Sequence, residues 1–177
     1  MRFVVLCLTT WVTAGCIVPA PTDPRESSTA RTPPQPASVK LGANFGDKLI
    51  LLGAKFSPAR VTLTTPMAVT LVFQTRAPLG EDDNIFVHVE DAATGAQVAN
   101  VDHAPTGGPT SRWLPGELHQ DDFTVALPPT SSAKAVNVWV GLWNPKTDVR
   151  QAVTNPTAVR TDGHDRVLVG AFPAAGI

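Results

Sequence analysis

From Phe45 onward the chain repeats one pattern, in which short runs of alternating apolar and polar residues are separated by turn signals. Successive side chains of a strand point to opposite faces of a sheet, so each run predicts a strand. The sequence therefore predicts an all-β domain over residues 45–174, an antiparallel β-sandwich (Ig-like or jelly-roll-like) with about eight strands. These are residues 48–56, 60–65, 67–76, 84–92, 96–104, 123–128, 135–143 and 166–172.

The alternation also predicts which face of a strand is buried. In the run 135–143, one side is apolar throughout, and the other carries Asn137, Trp139 and Trp143. Two tryptophans on an outward face are unusual, and flat aromatic rings about 13 Å apart along a strand suit a sugar chain. We therefore take Asn137, Trp139 and Trp143 as candidate ligand-binding residues. The alternatives are that another segment covers the rings, or that Trp143 completes the core.

The N-terminus is typical of an export signal. A positive start, Met1-Arg2, precedes an apolar run from Phe3 to Ala14 that is too short to span a membrane, and "VTAGC" follows. Ala14, Gly15 and Cys16 resemble the lipobox of bacterial lipoproteins. That resemblance implies a signal peptide at 1–15 and lipidation of Cys16; the alternative is an ordinary cut after Ala20. With Cys7 removed and Cys16 acylated, the folded domain keeps no free thiol.

Residues 16–44 are rich in Pro, Ser and Thr and poor in large apolar side chains. Such a segment buries too little surface to offset the entropy of ordering, so we expect a disordered tether. The protein would then face the periplasm or cell surface, on the bacterial outer membrane, with the membrane as a partner through its N-terminal lipid.

Most functions with a sequence signature find no support. The net charge is −1 and the basic residues are dispersed, so a nucleic-acid partner is not expected. Nucleotide-binding glycine motifs, H-E-x-x-H and G-x-S-x-G are all missing. We therefore predict no cofactor, no metal site and no enzymatic activity.

Polar residues nevertheless form one possible cluster, which comprises His88, Asp102 and His103. Together with residues 119–122 it could supply the two histidines and one carboxylate of a zinc site. The alternative is that His88 packs beneath the 104–118 loop and makes a hydrogen bond there. The acidic turn 80–84 could similarly bind calcium, but it lacks the spacing of a dedicated site and is typical of a solvated hairpin turn.

The segment "TGGPTSRWLPGELHQDD" (106–122) has the composition of a loop that carries a functional site, but the same residue types occur in a structural turn between strands. Pro115-Gly116 predicts a type II turn. Trp113 would plug the edge of the sandwich, and Arg112 would pair with a neighbouring acid. We expect these four residues to be structural.

The chain resembles a family of uncharacterised extracytoplasmic β-sandwich modules of bacterial secreted and membrane proteins. These modules often form the C-terminal segment of multi-spanning, glycosyltransferase-like membrane proteins. The matching pieces run in the family's order, and they are "FGDKLILLGAKFSP", "PLGEDDNIFVHVEDAATG", "VDHAP", "PTSRWLPGE", "VWVGLWNPKT" and "DRVLVGAF". The resemblance implies a fold and no catalytic residues.

These observations favour a lipid-anchored, non-enzymatic binding or structural module of the cell envelope, with glycan as one candidate ligand. The alternative is an accessory subunit that docks onto a membrane protein complex. A third hypothesis is a hydrolase with a site near His88 and Asp102.

Overall fold

Two β-sheets make up residues 38–175, the part of the chain that the computed structural model describes. Cys16, the predicted signal peptide and the tether up to residue 37 lie outside the described residues. Within residues 38–175, no helix is long and apolar enough to cross a bilayer. The strands are β1 (Val39–Phe45), β2 (Leu49–Ser57), β3 (Val61–Thr62), β4 (Met67–Thr75), β5 (Asn84–Asp91), β6 (Gln97–Asn100), β7 (Leu118–Val125), β8 (Ala135–Asn144), β9 (Val149–Arg150) and β10 (Arg166–Ala175).

The sheets are built by largely antiparallel pairing, which confirms the predicted all-β sandwich. The first sheet has the order β1-β2-β4-β7, and the second has the order β3-β10-β8-β5-β6. The short β3 pairs with the end of β10 in parallel, which the sequence did not predict. Strand β9 pairs with Trp143 and Asn144 of β8, beyond Gly141, where the pairing of β10 with β8 begins.

Alternating side chains of both sheets meet in a single core. The apolar face predicted for β8 is confirmed, because its four inward side chains are fully buried, and β4 contributes four more that are buried to the same degree. Burial of each such side chain stabilises the fold by about 1.5–3 kcal/mol. These residues are Val136, Val138, Val140 and Leu142 of β8, and Met67, Val69, Leu71 and Phe73 of β4.

The predicted boundary between tether and domain at Phe45 is too late. Strand β1 starts at Val39 and pairs with β2, so residues 39–44 belong to the sandwich. The pairing shifts register between Lys40 and Ala43, where Gly42 has a φ of 73°. This bulge interrupts the period of two, and the strand is therefore not apparent in the sequence pattern.

Strand β7 also differs from its prediction, because it starts at Leu118 and not at residue 123. Its first half, "LHQDD", looks like a polar loop, but His119 and Asp121 point inward and are buried. The ring of His119 stacks on Trp113, with centroids 4.0 Å apart. Polar residues that point inward and have buried partners interrupt the apolar pattern of the sequence, but the strand itself continues through them. With β1 and the two-residue β9, which the sequence did not predict, residues 38–175 contain ten strands.

An ion pair between His103 and Asp121 joins the two sheets. The backbone of His103 bonds to Ile85 of β5, whereas Asp121 lies on β7. The Nε2 atom of His103 lies 2.9 Å from Oδ2 of Asp121, and its Nδ1 atom lies 2.7 Å from the carbonyl oxygen of Val101. Both partners are acceptors, so we assign a proton to each ring nitrogen. The other carboxylate oxygen of Asp121 accepts hydrogen bonds from the amide and hydroxyl of Thr106.

The pKa of His103 reflects this pairing. Burial alone would lower it, but the hydrogen bonds to Asp121 and to the Val101 carbonyl, with the charge of Asp121, raise the pKa above its ordinary value. A histidine with a raised pKa in the folded state contributes stability below the unfolded pKa of about 6.5 and loses it as the pH rises through the folded value.

We therefore expect the free energy of unfolding to fall above about pH 6.5, in a component that His103→Gln removes. Urea titrations of wild type and variant at several pH values measure the difference between their free energies of unfolding as a function of pH. Asp121→Asn should remove the same component because it removes the charge that holds the proton. A difference that does not change with pH would contradict the assignment of a proton to each ring nitrogen of His103.

Candidate functional site

The outward face of the second sheet carries the candidate site. Strand β8 lies between β5 and β10 there, and the register places each outward residue of β8 beside one of β5. These cross-strand pairs are Trp143 with Asn84, Gly141 with Phe86, Trp139 with His88, and Asn137 with Glu90. The site therefore consists of two neighbouring rows in which four of the eight residues are aromatic, where a solvated sheet face would be polar.

Phe86 lies across Gly141 and closes the gap between the two tryptophans. A Cβ atom at position 141 would sit 2.2 Å from Cζ of Phe86 and 2.6 Å from the carbonyl oxygen of Asp165, so only glycine fits. The guanidinium of Arg150 lies over the Phe86 ring, with its carbon 4.4 Å from the centroid. The same guanidinium donates a 2.8 Å hydrogen bond to the carbonyl oxygen of His164. Phe86 is thereby buried on the outside of the sheet.

Arg166 organises the other half of this face. It is buried, and its guanidinium lies over the Trp139 ring at 4.9 Å. It forms ion pairs with Glu90 at 2.7 Å and with Asp162 at 2.6 Å. Its Nη1 atom also lies 3.1 Å from Nδ1 of His88. A buried guanidinium with two carboxylates and a cation–π contact is a well-satisfied arrangement, and it fixes the positions of all four partners.

The contact with Arg166 determines the protonation of His88. Arginine is always a donor, so Nδ1 of His88 must accept, and the ring proton then lies on Nε2. Burial lowers the pKa of His88, and the charges of Arg166 and Arg150 act in the same direction, whereas Asp102 and Glu90 oppose them. At neutral pH His88 is therefore an uncharged ring that carries its proton on Nε2.

A shallow cleft of about 140 Å³ opens between these side chains. At about 30 Å³ per water, it has room for a few water molecules or one small ring, and it is smaller than the roughly 300–1,000 Å³ of pockets for larger ligands. Aromatic rings and charged groups both contribute to its surface. The cleft residues are Phe86, His88, Asp102, Trp143, Asp148 and Arg150.

The structure divides the three candidate ligand-binding residues. Trp143 lines the cleft, while Trp139 lies beneath Arg166 and Asn137 lies farther along β8. Both tryptophans are only partly exposed, and their Nε1 atoms are buried without a hydrogen-bond partner among the described residues. They are therefore not an open platform of two parallel rings.

The candidate polar cluster is also divided. Asp102 accepts hydrogen bonds from the amide of Val87 and from Asn100 and lines the cleft with His88. His103 points away from them to Asp121, and His119 stacks on Trp113. The imagined zinc ligands thus point to separate places, and no group of three or more potential metal-binding side chains occurs within residues 38–175.

The acidic turn distributes its carboxylates among three partners. Glu81 accepts from the side chain of Asn144, Asp82 from the amide of Ser111, and Asp83 from the side chain of Gln151. Burial raises the pKa of Asp83. The turn therefore connects loops at one end of the sandwich and does not gather its oxygens around one point.

The corner residues lie at the start of β7. Trp113 is buried in the core and donates from Nε1 to the carbonyl oxygen of Gly108 at 3.1 Å, while Arg112 is exposed. The amide of Glu117 donates to the carbonyl oxygen of Leu114, which closes a turn around Pro115-Gly116. Gly116 has a φ of 87°, as the third position of a type II turn requires.

Sequence reasoning missed five residues of this face: Phe86, Glu90, Arg150, Asp162 and Arg166. Phe86, His88 and Glu90 are two residues apart along β5, so the alternating pattern could have predicted that they share one face of the sheet. The pairing of β8 with β5 and with β10 is long-range, however, and no local pattern encodes it.

No protein-family model matches the chain, and no curated protein matches it significantly in sequence. Solved structures with a similar fold include the C-terminal domain of Wzt, with 10% identity and a TM-score of 0.46, over 77% of this chain and 75% of that one. A Niemann-Pick type C2 protein from the Japanese carpenter ant has 11% identity and a TM-score of 0.44, over 80% of this chain and 98% of that one. Both are similarities of fold.

The packing over Gly141 predicts an unusual response to Gly141→Ala. Within a strand, alanine is normally more stable than glycine by about 0.5–1 kcal/mol. Here we expect a loss of about 1–3 kcal/mol, because the new methyl group displaces Phe86. Urea denaturation measures it. Gly107→Ala is the control, since a Cβ there would meet only ordinary contacts of 3.4 Å or more. A Gly141→Ala variant as stable as wild type would refute the requirement for glycine at position 141.

Proposed function

We propose that this protein is a non-enzymatic, lipid-anchored module of the bacterial cell envelope that binds glycan at the cleft on its second sheet. The observation that carries the proposal is the composition of that cleft. The rings of Trp143, Phe86 and His88 meet the charged groups of Asp102, Asp148 and Arg150 in one small depression.

This composition matches the chemistry of a sugar. A pyranose ring has an apolar face that packs on an aromatic ring and hydroxyls at its edge that both donate and accept hydrogen bonds. Trp143 would provide the aromatic contact, Asp102 and Asp148 would accept from hydroxyls, and Nε2 of His88 would donate to one. The cleft volume of about 140 Å³ suits a single sugar unit, such as a chain end.

Contacts around His88 favour binding over catalysis. A hydrolase would need His88 to exchange a proton, but its Nδ1 faces the permanent charge of Arg166 at 3.1 Å. Asp102 accepts hydrogen bonds from the Val87 amide and from Asn100, and Nδ1 of His88 contacts Arg166 instead of a carboxylate. A general base works best with a pKa near the working pH, and here burial and the neighbouring arginines lower the pKa of His88.

The envelope location rests on the N-terminal sequence. The lipobox-like "VTAGC" supports acylation of Cys16, and the Pro-rich segment that follows would hold the sandwich away from the bilayer. The resemblance to extracytoplasmic modules of membrane proteins supports the same location.

Docking onto a membrane protein complex is the second candidate function, and it would use another surface. Leu114 and Leu118 are 61% and 43% exposed, and Leu118 lies on β7, an edge strand of the first sheet. Exposed leucines beside an unpaired strand edge are typical of a contact surface.

Under the glycan proposal, Trp143→Ala should weaken retention on envelope polysaccharide by at least about tenfold, because it removes the aromatic contact at a small site. Affinity electrophoresis of the full chain measures this. Leu114→Ala, outside the cleft, is the control and should be retained like wild type. If Trp143→Ala has no effect and Leu118→Asp instead releases a co-purifying membrane protein, the docking function is correct.

The anchor has a separate test. Cys16→Ala removes the acylated thiol, so we expect the protein to move from the membrane fraction to the soluble fraction after cell fractionation. Incorporation of labelled palmitate into wild type alone would identify the modification. Continued association of the variant with membranes would contradict lipidation at Cys16.

A further inference from the structure

The cleft has an uneven distribution of charge. Asp102 and Asp148 are exposed carboxylates, and within the described residues no cation lies within ion-pair distance of either. Arg150 is the one arginine among the six cleft residues, and its guanidinium is already engaged by the Phe86 ring and the His164 carbonyl. With His88 uncharged, the two negative charges of Asp102 and Asp148 exceed the single positive charge of Arg150.

The hydrogen-bond donor of the cleft is also fixed. Arg166 holds Nδ1 of His88 as an acceptor, and Arg166 cannot turn away easily because Glu90 and Asp162 bind it from two sides. The contact of Nδ1 with Arg166 is the one hydrogen bond of the His88 side chain among residues 38–175, so the Nε2–H group is available to a ligand in the cleft. The charged groups facing the ring are Arg166, Arg150, Asp102 and Glu90.

We propose that the cleft selects a sugar unit without an acidic group, and that His88, positioned by Arg166, is a specificity-determining residue. This inference rests on the proposed glycan-binding function. The ligand presents a neutral oxygen to Nε2–H of His88 and hydroxyl donors to Asp102 and Asp148. A uronate or phosphate placed at the same point would meet two carboxylates against one guanidinium, that of Arg150.

Arg166 acts through His88 and is a positioning residue. If Arg166 were absent, the ring of His88 could carry its proton on either nitrogen, and its donor would no longer be fixed. Lysine at position 166 could still donate to Nδ1, whereas methionine could not. The two substitutions therefore separate the donor function from the bulk of the side chain.

The first test needs no ligand. Long-range ¹H–¹⁵N spectra of the full chain at pH 7 report which nitrogen of His88 carries the proton. We expect the Nε2–H form in wild type and in Arg166→Lys, and a mixture of forms in Arg166→Met. A wild-type ring that is protonated on Nδ1, or on both nitrogens, overturns the inference even if Arg166→Met fails to fold.

The second test measures charge selectivity with immobilised polysaccharides. Dextran, amylose and mannan are the neutral probes, and polygalacturonate and alginate are the acidic ones. We expect at least one neutral polymer to bind about tenfold more tightly than either acidic polymer. The difference should shrink at high salt, because salt screens the repulsion at an exposed site.

The variant Asp102→Asn/Asp148→Asn provides the matched control. Asparagine keeps the acceptor oxygen that the Val87 amide uses at position 102, and it tolerates the φ of 56° at position 148. We expect this variant to gain affinity for the acidic polymers. Equal or tighter binding of an acidic polymer by wild type overturns the inference and leaves glycan binding intact. Binding to none of the five polymers refutes the glycan function and the selectivity with it.

Discussion

Strand β8 must bury both of its faces, and most of the structure follows from that requirement. Its inward side chains, Val136 to Leu142, fill the core between the sheets. Its outward side chains include two tryptophans, which water would solvate poorly. The fold covers them with side chains from β5, β9 and β10, so an extra layer of packing lies outside the sandwich.

That outer layer also explains the position of the cleft. Phe86 can reach over β8 because residue 141 has no side chain, and Arg166 covers Trp139 because two carboxylates compensate its burial. Trp143 lies beyond Gly141, where the pairing of β8 with β10 begins, and pairs with β9 instead. The depression forms at this gap. Its aromatic surface and its charged rim are therefore products of how β8 is covered.

The alternating pattern was sufficient to predict the sandwich, its core faces and the outward position of the tryptophans, because these depend on neighbours along one strand. It failed where a bulge interrupts the period, as at Gly42 in β1, and where buried polar residues find partners, as at His119 and Asp121 in β7. For a related reason, only part of the candidate site could be predicted from the sequence. Trp143, His88 and Asp102 could be named from sequence, but the contacts of Arg150 with Phe86 and of Arg166 with His88 depend on pairing between distant strands.

The two arginines of the outer face have a mechanical consequence. Each stacks on one aromatic ring of the sheet and bonds to the same loop, Arg150 through the carbonyl of His164 and Arg166 through the carboxylate of Asp162. The loop and the aromatic floor are thus fastened together before any ligand arrives. Under the proposed glycan-binding function, a surface held in this way is preorganised, so little conformational entropy remains to be lost on association. Such a surface distinguishes ligands by fit and not by rearrangement.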